Sequence, residues 1–184
     1  MKNILLGISG SIAAYKAADL ASRLTGDGYQ VNVIMTKGAT AFLTPLTLQT
    51  LSKNRVYTDV FREENPAEVV HIALAEKADL LLVAPASADV IGKMANGIAD
   101  DMLTSTVLAV RGIPRYVAPA MNTRMYENPA VQENLARLRR FGYEIIPPKE
   151  ARLACGEIGT GALAEVSVLV ETVEKRLQSG GNAS

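Results

Sequence analysis

Short, nearly uninterrupted apolar runs alternate along this chain with longer stretches in which apolar and charged residues are mixed. The short runs are Asn3 to Ser9, Val31 to Thr36, Asp79 to Ala84, Arg115 to Ala118 and Tyr143 to Ile146. They are too short for helices and show little polar alternation, which predicts strands buried on both faces of a parallel sheet. Arg55 to Val60 predicts one further short strand. The longer stretches predict helices over Ile12 to Thr25, Gly38 to Leu51 (interrupted at Pro45), Ala67 to Lys77 and Ala88 to Val110 (broken or bent at Gly97). Two more follow, over Pro129 to Arg140 and Glu165 to Leu177, the first capped by Asn128 with Pro129 at its first position. Pro85 and Pro119 have no N–H for a ladder and are expected to stop the strands before them. Phe61 to Pro66 reads as a charged loop. Lys149 to Leu163 has three glycines and no periodicity, so it reads as a long loop. Strands alternating with helices imply an α/β three-layer sandwich with a mostly parallel, Rossmann/flavodoxin-like sheet and right-handed crossovers. One domain over residues 1–178 and a flexible tail over 179–184 are expected.

Composition narrows the function. The 184 residues are 48% apolar, and 19 Lys plus Arg balance 19 Asp plus Glu, whereas nucleic-acid and membrane-surface binders usually carry a basic excess. No apolar run reaches the roughly 18 residues needed to span a bilayer. Met1-Lys2-Asn3 runs straight into a strand without a secretory pattern. The single cysteine excludes an internal disulfide and fits a reducing, cytoplasmic setting. One histidine and one cysteine far apart argue against a metal site.

Candidate chemistry gathers at the strand ends, which line the ligand crevice in an open parallel sheet. Gly7 to Ile12 joins a strand to a helix; its glycines allow close backbone approach and its serines suit a single phosphate, although a plain tight turn has the same composition. It lacks the third glycine of the dinucleotide pattern. Thr36-Lys37-Gly38 and Ala84 to Asp89 repeat the arrangement, and small side chains there let a flat ring lie against the backbone. Ala120 to Tyr126 carries the amide of Asn122 between Met121 and Met125. That suits a flat apolar ligand with one polar group to orient, or an ordinary connection whose Asn satisfies its own backbone. His71 is either a packed helical residue or the source of any imidazole chemistry. Cys155, inside the glycine-containing loop, is either a small buried hydrophobe or a thiol carried over a ligand. No G-x-S-x-G elbow supports a hydrolase.

Together these pieces resemble the flavin-dependent cysteine decarboxylases, a family named for its histidine, flavin and cysteine. The resemblance runs from the first strand to the closing helix. The family's P-x-M-N-x-x-M motif stands as Pro119 to Met125, followed by Tyr126 where tryptophan is common. Its cysteine-loop signature stands as Ala154-Cys155-Gly156-Glu157, with Glu157 where aspartate is usual. The family histidine matches His71, and the flavin-binding strand end matches Ala84 to Asp89. Many members have Asn and Thr where this chain has Asp89 and Val90.

The resemblance implies a bound FMN with its phosphate near Gly10 and Ser11, and further contacts from Thr36, Lys37, Gly38, Ser87, Ala88, Asp89, Val90 and Ala120. It implies substrate contacts from Asn122, Arg152, Ala154 and Leu163, and catalytic roles for His71, Asn122 and Cys155. Family members form trimers, or dodecamers built of trimers, with the flavin at a subunit boundary, so His71 can act across an interface. The implied substrate is the small molecule phosphopantothenoylcysteine, decarboxylated to phosphopantetheine in coenzyme A synthesis. Thiol oxidation to a thioaldehyde, loss of CO2 and re-reduction of the enethiol are the implied steps. Three other activities share parts of the pattern: an oxidative peptidyl-cysteine decarboxylase that stops at the enethiol, a flavin prenyltransferase, and a flavin-binding regulatory subunit without catalysis. Many bacterial members are the first half of a bifunctional chain, and the sequence leaves open whether this one is free-standing.

Overall fold

Apolar runs need partners on both faces, and the computed structural model shows how they find them; it describes residues 1–62, 67–152, 156 and 158–179. Six strands form one sheet: β1 (Asn3–Ile8), β2 (Gln30–Met35), β3 (Val56–Tyr57), β4 (Leu80–Ala86), β5 (Arg115–Pro119) and β6 (Glu144–Ile145). Their order is β3-β2-β1-β4-β5-β6 and every pairing is parallel. β4 is buried along its whole length and β1 from Ile4 onward.

Side chains leave alternate faces of a strand, so β1 feeds two cores. Ile4, Leu6 and Ile8 pack with a 3-10 turn (Ile12–Tyr15), α1 (Lys16–Gly26), α3 (Pro45–Ser52) and α9 (Val166–Ser179). Leu5 packs on the other side with α4 (Val70–Lys77), α5 (Ala88–Asn96), α6 (Met102–Ala109) and α8 (Pro129–Arg140). On α1 the buried positions Ala17, Leu20, Ala21 and Leu24 follow the spacing of a single helical face. Truncating a fully buried central residue such as Leu82 to Ala should cost about 2–5 kcal/mol. The result is the expected α/β three-layer sandwich. One-turn helices α2 (Lys37–Thr40) and α7 (Thr123–Tyr126) follow the ends of β2 and β5.

Several boundaries differ from the expectation. Pro85 and Pro119 lie inside strands: the register shifts between Val83 and Ala86, and Ala86 then pairs with Pro119. That irregularity absorbs the missing donors, while Pro85 O accepts from both the N–H and the hydroxyl of Ser9. The stretch 88–110 is broken at Gly97, which takes φ +69° as the cap of α5, and Asp101 and Thr104 form a capping box that restarts the chain as α6. Helix α4 begins at Val70 rather than Ala67.

The largest correction concerns Lys149 to Leu163. It is not structureless: β7 (Lys149–Arg152) pairs antiparallel with β8 (Ile158–Ala162) as a two-stranded ribbon separate from the main sheet. Its strands bury little side-chain surface, so no apolar alternation announced them. Ala154 and Cys155, both singled out from the sequence, lie outside the described residues, as do residues 180–184 of the expected tail.

The chain leaves β1 toward β2 on one side and later returns to β4 on the other. The carboxyl ends of β1 and β4 are therefore the point where strand order reverses, and a crevice must open there.

Candidate active site

At that point lies a cavity of about 560 Å³, within the usual range for small-molecule sites. Gly10, Ser11, Ser87, Ala88, Ala120, Asn122, Arg152 and Leu163, all expected at the site, line it. Ile12, Ala13, Phe42, Met121 and Met125 add apolar wall, and Tyr15, Lys16, Gly161 and Ala162 complete the lining. Among the described residues the lining holds Lys16 and Arg152 and no carboxylate, a set that favours anions.

Local hydrogen bonding holds the floor. Ser9 is fully buried; its hydroxyl donates to Pro85 O at 2.7 Å and accepts from Ser87 N–H at 2.7 Å, tying the ends of β1 and β4 together. Ser11 caps the 3-10 turn by accepting from Ala13 N–H, and Ser87 caps α5 by accepting from Val90 N–H. Gly10 and Gly38 pack backbone against backbone: a Cβ on Gly10 would lie 3.0 Å from Gly38 Cα. Thus the β1 and β2 ends touch only because both residues are glycine.

Five expected cofactor residues do not line the cavity. Thr36 is buried, and its hydroxyl accepts from Ala39 N–H as the cap of α2. Lys37 is exposed beside it, and Gly38 acts through its contact with Gly10. Val90 turns into the core, and Asp89 lies 3.4 Å from Lys93, which also reaches Asp100 at 3.1 Å. The hydrogen bond with Asp100, followed by the charge of Asp89, raises the Lys93 pKa despite partial burial. The side chain of Asp89, where many family members have Asn, is thus occupied by an ion pair along its own helix.

Asn122 is more than a loop residue. It caps α7, and its Oδ1 accepts from Arg124 N–H at 2.9 Å. A carboxamide also carries N–H donors, the kind of group that holds a carboxylate. The loop is in turn clamped by β8. Met121 N–H donates to Gly161 O at 2.9 Å, and a Cβ on Gly161 (φ +157°) would run into Met121 O. A Cβ on Gly159 would run into Thr123. The ribbon carrying Arg152 is therefore fastened to the Asn122 loop through glycine, a contact that leaves no hydrophobic signature.

His71 stands apart. It lies in the first turn of α4, outside the cavity lining, with Nδ1 buried and without a hydrogen-bond partner. Val69 and Ile72 beside it are exposed, as are Ile12, Tyr15 and Phe42 at the cavity. The structure brings together the Asn122 and Arg152 elements but not His71.

The donor set and shape suit a flavin: small residues at the ends of β1, β4 and β5, apolar walls with two methionines, and serine hydroxyls beside a helix start. Sequence reasoning did not single out Lys16, Tyr15 or Gly161 as site residues; only their positions, one turn beyond Ser11 and on a ribbon strand, bring them there.

Comparison with known proteins points the same way. A probable phosphopantothenoylcysteine decarboxylase from Streptococcus mutans is 54% identical over 96% of this chain and 99% of its own length. The coenzyme A biosynthesis bifunctional protein CoaBC of Bacillus subtilis is 53% identical over 95% of this chain, but the chain spans only 43% of that longer protein. Among solved structures, a PPC decarboxylase mutant complexed with pantothenoylaminoethenethiol superposes with TM-score 0.90 at 38% identity, covering 96% of this chain and 98% of the other. The FMN binding protein AtHal3 superposes with TM-score 0.86, also at 38% identity, covering 97% of each. The Flavoprotein family profile matches residues 1–178, and the chain belongs to that family.

Proposed function

We propose that this protein is an FMN-dependent decarboxylase of phosphopantothenoylcysteine, working in the cytoplasm as one catalytic unit over residues 1–178 and releasing CO2 and phosphopantetheine. The observation that carries the reading is that Asn122 and Arg152 line one cavity together with small residues from the ends of β1, β4 and β5. High identity with the S. mutans decarboxylase over nearly its full length supports the choice of substrate.

Losing CO2 from an acylated cysteine leaves negative charge on Cα that nothing in the substrate accepts. Oxidising the adjacent CH2–SH to a thioaldehyde creates the acceptor. A flavin held by Gly10, Ser11, Ser87, Ala88 and Ala120 would supply this two-electron oxidation and its later reversal. The protein's residues bind, orient and move protons. Asn122 and Arg152 hold the carboxylate, and burial in an apolar cavity favours its departure as neutral CO2. His71 takes the thiol proton. Cys155 returns a proton to the enethiol product during re-reduction.

Because His71 lies outside the cavity of its own chain, a neighbouring protomer supplies it. The exposed apolar residues on each side fit such a contact: Val69 and Ile72 around the imidazole, Ile12, Tyr15 and Phe42 around the cavity. These are two different surfaces, so their contact is head-to-tail and closes a ring. We take that ring to be a trimer, alone or within a dodecamer.

The test uses the holoprotein and Cys155→Ser. A serine hydroxyl is far less acidic than a thiol and is a poor proton donor. The variant should still release CO2, lose its yellow colour on mixing with substrate, and accumulate a product two mass units below phosphopantetheine. Normal phosphopantetheine at near wild-type rate would remove Cys155 from the mechanism. A protein that is colourless and cannot be reconstituted with FMN would overturn the whole assignment.

A further inference from the structure

This inference rests on the substrate proposed above, which carries a carboxylate at its reacting end and a phosphate at the other. Among the described residues two cations line the main cavity, Arg152 and Lys16, and no carboxylate does. Arg152 ends β7, on the ribbon fastened to the Asn122 loop, which places it with the carboxylate-binding amide. Lys16 belongs to a different wall. It opens α1, on the order of 8 Å along the axis from the start of the 3-10 turn.

Lys16 and Tyr15 also line a second groove of about 320 Å³, shared with Asp19, Arg23 and Glu165. The main cavity and the groove therefore adjoin at Lys16, which gives an elongated substrate room beyond the flavin site. The groove's acids are already engaged: Asp19 with Arg23 at 3.0 Å, and Glu165 with Lys149. The hydrogen bond from Lys149 holds the Glu165 carboxyl below its usual range, and the charge of Lys16 acts in the same direction from farther away. Among the described residues Lys16 itself forms no ion pair, unlike Lys93 and Lys149. A phosphate moving outward would meet Lys16 first and carboxylates after it.

We propose that Lys16 anchors the terminal phosphate of the substrate where the cavity meets the groove, and so selects phosphorylated over unphosphorylated acyl-cysteine. The flavin's own phosphate shares this chemistry, and the experiment separates the two. Holoprotein carrying Lys16→Met keeps the apolar stem and loses the charge. Its KM for phosphopantothenoylcysteine should rise about 10- to 100-fold, the loss expected for a hydrogen bond to a charged group. For pantothenoylcysteine the change should shrink to within about threefold, and Lys16→Arg should restore most of the preference. Calorimetry should show the same split between phosphopantetheine and pantetheine binding, with flavin content at the wild-type level. Loss of FMN from the variant would assign Lys16 to the cofactor phosphate and overturn the proposal. Equal losses on both substrates, or none on either, would overturn it as well. A wild-type protein that decarboxylates neither compound would instead sink the functional reading, and this assignment with it.

Discussion

At the amino ends of the strands, long charged side chains tie one strand to the next; at the carboxyl ends small groups do so. Asp79 accepts from Lys2 at 2.9 Å and from Asn3 N–H at 2.7 Å, joining β1 to β4 from below. Arg115 lies 4.4 Å from the centre of the Tyr143 ring and donates to Phe141 O, joining β5 to the turn before β6. At the opposite edge the strands are joined through small groups: the Ser9 hydroxyl, the Gly10–Gly38 contact and the N–H of Met121. Satisfying the backbone with hydroxyls and glycines leaves volume for a ligand, whereas satisfying it with long charged chains fills that volume. One edge is built to hold the sheet, and the other to hold a molecule.

The comparison breaks most visibly if carboxyl-edge substitutions spare activity. His71→Asn removes the only imidazole, and Asn122→Asp puts a negative charge where the proposed substrate's carboxylate would sit. Each should lower CO2 release about a thousandfold or more while the protein keeps its flavin. Retention of more than a few per cent of wild-type activity in either variant would remove that residue from its role.

Gly161→Ala should come next. The new methyl meets Met121 O and must displace the Asn122 loop, so kcat/KM should fall on the order of 100-fold with the far-ultraviolet circular dichroism unchanged. In the Asn122→Ala background the same change should add little, because Gly161 acts through Asn122. Full additivity would mean that the ribbon contact matters for folding alone.

At the amino edge the expectation reverses. Asp79→Ala should cost about 1–3 kcal/mol of stability and leave kcat within about twofold. Burial pushes this carboxyl up, but the hydrogen bonds from Asn3 and Lys2 outweigh it and hold the pKa below the ordinary 3.8. A depressed folded-state pKa means stability that is full above the ordinary value and lost as pH falls through the folded one. The Tm gap between wild type and variant should therefore narrow as the pH is taken down through the acid range, and a gap independent of pH would contradict the ionic account. The smallest effect is expected from Arg115→Leu, which removes a cation–π contact and a backbone hydrogen bond at an exposed position. Chemical denaturation should show about 1 kcal/mol or less, again without a catalytic change.

Much of this division was legible before any coordinates. The runs at β1, β4 and β5 are apolar because both faces are covered, and that burial writes itself into composition. The break at Gly97 and the Asn128-Pro129 helix start rest on local backbone rules that need no partner. The β7–β8 ribbon was not legible, because what holds it is a backbone hydrogen bond and two glycine contacts on residues 121–123, and neither produces periodicity. The prolines misled for a related reason: a missing N–H stops a strand only where the neighbour demands it, and the shift between Val83 and Ala86 removes that demand.

By itself, then, the sequence determined the alternation of elements and the layered architecture and offered the candidate reactive side chains, since these depend on burial and on local chemistry. Which of those side chains meet was decided by tertiary structure. Strand order placed Gly10, Ser87, Ala120 and Asn122 around one cavity although up to 112 residues separate them. The same order left His71 on another surface, turned Asp89 toward Lys93, and set Lys16 where two cavities adjoin. Proximity across a sheet depends on the order in which strands pair, and no local pattern in a chain encodes that order.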